Sequence, residues 1–205
     1  PKEDATAVAN LKEAGGIILG KTNLTEFALA GSQRYSPNRN PWDLDRFTGG
    51  SSAGSGSATA AFLCSTSLGE DTGGSIRRPA AWCGLAGLRP SWGRVSRYGV
   101  MPGSWSMDQV GPISRTVEDT AITLGAIAGY DPKDSYSSNV PVPDYRRALN
   151  GDIRGIRVGA IRELIHSDIL DSEVREAIIK AGSVLEGLGA TVEEVSLPLT
   201  IHGGT

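Results

Sequence analysis

Histidine is nearly absent from this sequence, with His166 and His202 alone, and cysteine is as scarce, with Cys64 and Cys83. The cysteine spacing fits no zinc pattern and there is no C-x-x-C pair. Both cysteines lie in apolar surroundings (AAFLCST and PAAWCGL) and read as free thiols of a protein in the reducing cytoplasm, with a disulfide left open. No apolar run approaches the ~18 residues that a membrane span needs. No Lys/Arg run stands out and the net charge is −3, so neither an anionic membrane nor a nucleic acid is expected as a direct partner. The opening stretch, PKEDATAVANLKEAGG, is charged and helical in pattern, which excludes a signal peptide there. Glycine, by contrast, is plentiful. There are 27 in 205 residues, concentrated between Gly49 and Gly103, where the backbone itself is being put to use.

The length suits one domain or two small ones, and it is enough to bury a sizeable core. A first helix is expected with Asp4 as its cap and Val8, Leu11 and Ala14 at helical spacing, ended by Gly15-Gly16. Ile17, Ile18 and Leu19 then read as a short buried strand. Residues 32–48, rich in proline, asparagine and aspartate around Trp42, read as a loop. GGSSAGSGSATAAF (49–62) passes from a turn into a small-residue helix, CSTSLGEDT (64–72) into a strand, and GGSIRRPAAW (73–82) into a turn and short helix. Residues 84–103 read as loop with short strands. Thr116 with Asp119 resembles a capping pair for a helix ended by Gly129. After an exposed connection at 131–152, IRVGAI (156–161) reads as a strand. Asp171 or Ser172 caps a helix to Gly187 or Gly189, and TVEEVSL (191–197) is a further strand. Helices and strands interleave, so the class is α/β.

Three segments carry the chemistry: Gly49–Gly56 (GGSSAGSG), Glu70–Arg77 (EDTGGSIR), and the run from Cys83 to Tyr98. In the second, a strand ends at a double glycine and a serine opens a helix. Glycines there allow a tight turn that exposes successive N–H groups, and such donors can hold a developing oxyanion. A serine so placed can attack a carbonyl, although a hydroxyl needs a base. A turn whose serine merely caps a helix explains the same five residues.

The ordered combination says more. GGSSAGSGSA followed by DTGGSIRRPAAWCGLAGLRPSWGRVSRYG resembles the amidase signature family. The likeness extends upstream through EAGGIILGKTNLTEFALAG and RNPWDLDRFTGGSS, and downstream through SMDQVGPISRTVEDTA. The resemblance implies an α/β/α sandwich around a mixed β-sheet, of which residues 1–205 are part of one domain with the signature core at about 15–130. It implies Ser75 as the acyl-forming nucleophile, and Ser51, on a cis peptide bond, as the serine that relays the proton. Thr72, Gly73 and Gly74, with Ser75 itself, are implied as oxyanion-hole donors. Asp71 and Arg77 are implied as supports of that loop or as a plain ion pair, and Ser52 as a further hydrogen bond or a helix cap. The implied reaction is hydrolysis of an amide or carbamate carbon–nitrogen bond on a small-molecule substrate, with no metal or cofactor, and a homodimer is left open. The alternative within the family is the amidotransferase component that works as a glutaminase inside a complex.

The sequence also departs from the family. Its lysine would precede GKTN. The lysines here are Lys2, Lys12, Lys21, Lys133 and Lys180, and Lys21, though it follows an apolar run, matches a different position. A partial domain lacking its base, and also its C-terminal part, is therefore expected. Glu70 stands where many members carry serine or threonine, and Ala53 where many carry glycine. Trp105 suits an apolar acyl group near the site, or plain core packing. G-x-S-x-G at 50–54 would make Ser52 an α/β-hydrolase nucleophile, but it needs an acid and a histidine later in the chain and leaves DTGGSIRRP unexplained. A P-loop would need a lysine that GSGSATAAF lacks.

Overall fold

The computed structural model describes residues 2–29 and 37–202, which form two compact units, residues 1–148 and 149–205. In the first unit, α1 (Thr6–Glu13) starts after Ala5 and has no side-chain cap. Asp4 does not cap it, because its carboxylate pairs with Lys12 at 2.6 Å instead. Ala7 of this helix is buried with Val95, Val110, Leu124 and Ile127 in the main apolar cluster. The Ile17–Leu19 run forms no strand and lies exposed. An extended segment needs a neighbour for its N–H and C=O groups, and none pairs with it among the described residues.

Within the stretch expected to be loop, β1 (Arg39–Asn40) and β2 (Asp43–Phe47) pair as a small antiparallel hairpin. Then follow α2 (Ala53–Ala60), β3 (Thr66–Glu70), α3 (Arg77–Trp82), β4 (Ala86–Gly87), β5 (Val110–Ser114) and α4 (Val117–Ile127). β5 is the centre of a three-stranded antiparallel sheet of order β3-β5-β4, with Glu70 opposite Val110 and Leu68 opposite Pro112. All five of its residues are buried, so it has no polar face to produce an alternating pattern, and Pro112 interrupts what would otherwise read as a strand. α4 is capped as the sequence suggested: the Thr116 hydroxyl accepts from the Asp119 N–H and donates to its carboxylate.

α2 is a helix of small residues because it lies hard against its neighbours. Its hydroxyls replace apolar side chains as the means of docking: Ser55 donates to the Leu68 carbonyl at 2.8 Å, and Thr59 meets the Ser67 hydroxyl at 2.8 Å, both on β3. A Cβ on Gly54 would collide with the backbone oxygen of Asn23 and lie 2.8 Å from its nitrogen, where backbone cannot give way. Gly54→Ala is expected to cost roughly 1–3 kcal/mol through this overpacking, read as a lower denaturation midpoint at unchanged m.

In the second unit, β6 (Arg157–Ile161) pairs in parallel with β7 (Thr191–Val195). The crossover that parallel pairing demands is made by α5 (Arg162–Ile165) and α6 (Ser172–Gly187), the latter capped by Asp171 accepting from the Glu173 N–H. His166 follows α5 on the surface and meets Glu194 at 2.9 Å. The architecture is thus mixed α/β, with antiparallel pairing in the first unit and parallel pairing in the second. No helix among the described residues is long and apolar enough to cross a membrane.

Candidate active site

The turn after β3 is built around one carboxylate. Asp71 is fully buried. Its Oδ1 accepts from the Gly74 N–H at 2.6 Å, and its Oδ2 accepts from the N–H groups of Ile76 at 3.1 Å and Arg77 at 3.3 Å. The Arg77 guanidinium adds contacts of 3.0 and 3.1 Å, and Arg89 donates to the Asp71 carbonyl at 3.1 Å. Burial by itself would raise this carboxyl, but the Arg77 contacts and the three backbone donors outweigh it and hold Asp71 below the usual carboxylate value. Gly74 turns with φ +125°, a conformation that favours glycine, which lets residues 74–77 fold back over Asp71.

Folding back brings the two signature serines to one place. The Ser75 carbonyl accepts from the Ser52 N–H at 3.3 Å, and the Ser51 carbonyl accepts from the N–H groups of Ala53 at 2.8 Å and Thr25 at 3.1 Å. The peptide bond between Gly50 and Ser51 is cis. Ser51 and Ser75 both line a cavity of about 220 Å³, with Thr25, Ala28, Phe47, Gly50, Thr72, Gly73 and Arg78. Among the described residues, every hydrogen bond of Ser51 and Ser75 uses backbone atoms, which leaves both hydroxyls unengaged.

The N–H groups of Thr72, Gly73 and Ser75 likewise have no partner among the described residues. Gly74, expected with them as a donor for negative charge, has its N–H committed to Asp71. Ser52 is buried, and it makes no cap. Its hydroxyl donates to the Glu70 carbonyl at 3.3 Å and accepts from the Glu70 N–H at 3.2 Å, which pins the start of α2 to the end of β3.

No lysine, histidine or carboxylate lines this cavity among the described residues, and Lys21, which is exposed, is not on its wall. Two polar wall residues escaped the sequence reading, as did the apolar Ala28 and Phe47. Thr25 has a fully buried hydroxyl with no hydrogen-bond partner among the described residues. Arg78 is the one charged side chain on the described wall. A threonine in a turn and the second arginine of a pair carry no pattern that would single them out. Trp105 is exposed and lines a different cavity of about 230 Å³, together with Glu70, Arg97, Tyr98, Asp108 and Lys133.

The mixed α/β frame that carries this cavity is shared with known proteins. The Amidase family model matches residues 1–203, and the chain belongs to the amidase signature family. A glutamyl-tRNA(Gln) amidotransferase subunit from Carboxydothermus hydrogenoformans is 54% identical over 203 residues, 98% of this chain and 42% of that protein. The crystal structure of the subunit of the same name from Thermotoga maritima superposes with a TM-score of 0.93 at 42% identity, covering 98% of this chain and 44% of that one. A native peptide amidase from Stenotrophomonas maltophilia gives 0.87 at 36% identity, covering 98% and 43%. The chain therefore spans about two fifths of the length of these relatives.

Proposed function

We propose that the chain carries the nucleophile, the proton relay and the oxyanion donors of an enzyme that hydrolyses an amide carbon–nitrogen bond through a serine acyl-enzyme. The observation that carries this reading is the placement of two unengaged serine hydroxyls, Ser51 and Ser75, in one cavity beside three uncommitted backbone N–H groups. The Ser75 oxygen attacks the amide carbon, and the carbonyl oxygen becomes an oxyanion held by the N–H groups of Thr72, Gly73 and Ser75. The Ser75 proton passes through Ser51 to a base and returns to the departing nitrogen, so the amine or ammonia leaves neutral. Water then cleaves the Ser75 ester. The family resemblance assigns the base to a lysine, and none of the chain's lysines lines the described cavity. Asp71, Arg77 and Ser52 support the turn and are not on the described cavity wall. An amide or related carbamate as substrate, and a cytoplasmic location, belong to the same reading.

The test is intact-mass analysis of the chain after exposure to a reactive acyl ester. A single added acyl group on the peptide containing Ser75 supports the reading, and an adduct elsewhere sinks it. A second reading is favoured by the name that the 50–54% identical relatives share, that of a glutamyl-tRNA(Gln) amidotransferase subunit. In that reading the amide is glutamine and the released ammonia is passed on within a complex. Ammonia release from glutamine that occurs only with partner proteins would select it, while turnover of simple aryl amides without them would select a free-standing hydrolase.

A further inference from the structure

At the Ser75 turn lies a cluster of side chains that the proposed chemistry does not use. The Thr72 hydroxyl is 2.6 Å from Oδ1 of Asp108 and 3.1 Å from Oε1 of Glu70. A threonine hydroxyl has one proton and can donate to only one of two carboxylates. The shorter contact goes to Asp108, whose Oδ2 also accepts from the N–H groups of Gly103 at 2.7 Å and Ser104 at 2.8 Å. Three donors make Asp108 the ionised member. The contact to Glu70 is then satisfied when Glu70 carries a proton and donates it to Thr72; Glu70 and Asp108 also share a side-chain hydrogen bond, which a protonated Glu70 can likewise supply.

We propose that Glu70 is a positioning residue for the nucleophile: protonated, it donates to Thr72, which donates to Asp108, and this chain holds the Thr72–Ser75 turn in the geometry seen here. The inference rests on the reading of Ser75 as nucleophile and adds pH control to that site. Thr72 links two cavities, because it lines the one that holds Ser75 and is bonded to two residues that line the other.

The surroundings agree. Burial, with the Asp108 charge next, a hydrogen bond to Asp108 and a smaller repulsion from Asp71, outweighs the lowering by the Thr72 hydroxyl and pushes the Glu70 carboxyl up to about 7. Asp108 is held below its ordinary value: burial opposes this, but Thr72 and the backbone donors outweigh it. Two cations face Glu70 across the second cavity, and both are engaged elsewhere. Arg97 is 3.6 Å from Asp134 and stacks on Trp92 and Tyr136, while Lys133 sits over the Tyr98 ring. With Asp71 committed to Arg77, no free cation among the described residues offsets a second negative charge at Glu70. Ionisation therefore places two carboxylates around one hydroxyl, breaks the chain at Glu70 and frees the turn.

The experiment follows the carboxyl and the turn together in the full chain. Side-chain carboxyl NMR with 13C-labelled glutamate is expected to show Glu70 titrating near 7. Amide exchange at Thr72, Gly73 and Ser75, corrected for intrinsic base catalysis, is expected to speed up across the same midpoint. Acylation of Ser75 by a reactive ester is expected to lose rate over that range. Glu70→Gln, whose amide N–H donates to Thr72 at every pH, is expected to abolish both steps while keeping the acidic-side behaviour, and Glu70→Ser is expected to leave neither step. Titration of Glu70 in the ordinary carboxylate range, or an unchanged step in Glu70→Gln, would overturn the proposal. Absence of any Ser75 acylation would count against the nucleophile reading alone, since the titration and exchange do not depend on it.

Discussion

Ser75→Ala is expected to take up no acyl group at the cavity under any condition, because it removes the one atom that forms the new bond. Ser51→Ala separates the two serine roles. In the proposed mechanism it keeps the nucleophile but removes the route by which a proton reaches the leaving nitrogen. For an unactivated amide, in an enzyme assembled with its base, the expected loss is about 10²–10⁴-fold in kcat/KM, the usual worth of positioned proton transfer. For an ester that expels a nitrophenolate the loss should be much smaller, since that group departs without a proton. Steady-state and burst kinetics on the two substrate types read the difference. Equal losses on both would mean that Ser51 shapes the cavity and does not relay protons.

The second large effect is expected on folding. Asp71→Ala removes the acceptor of three backbone N–H groups and the partner of Arg77. Breaking a buried charge network of this kind by deleting one member typically costs about 3–5 kcal/mol. Because Arg77 is half exposed, with 56% of its side chain accessible, water can take over its charge, and most of the loss falls on the turn itself. Asp71→Asn keeps the shape but offers one accepting oxygen to donors that now use two, so it should lie between wild type and alanine. Guanidinium unfolding measures the stability, and amide exchange at residues 74–77 shows where the loss resides.

The pH dependence gives the sign. Asp71 is held below its ordinary value in the folded chain, so its contribution is full above the unfolded carboxylate value and is lost as pH falls through the depressed folded one. Glu70 runs the other way. Its folded value is raised, so its contribution is present below the ordinary carboxylate range and is lost as pH rises through about 7. Wild type compared with Glu70→Gln in thermal melts should therefore diverge between those limits, with wild type losing ground as pH rises.

The sequence by itself determined the elements whose causes are local. The Thr116–Asp119 and Asp171 caps, the small-residue helix after Ser52 and the turn at Gly73-Gly74 all occur where their residues predict them. The ordered likeness across the first 130 residues identified the family and pointed to Ser75 and Ser51. What only the tertiary structure decided depends mostly on residues far apart in the chain, and at Gly74 on how a short turn closes. β5 became visible as a strand only when β3 and β4 covered both its edges, since a fully buried strand with a central proline has no alternation to betray it. Ile17–Leu19 had the composition of a strand but found no pairing partner among the described residues. Gly74 resembled a free donor, yet Asp71, three residues earlier, folds back to hold its N–H. The Thr72–Asp108 contact joins positions 36 residues apart along the chain. Hydrogen-bond distances, and the single proton of a hydroxyl, are properties of assembled side chains and leave no trace in residue order.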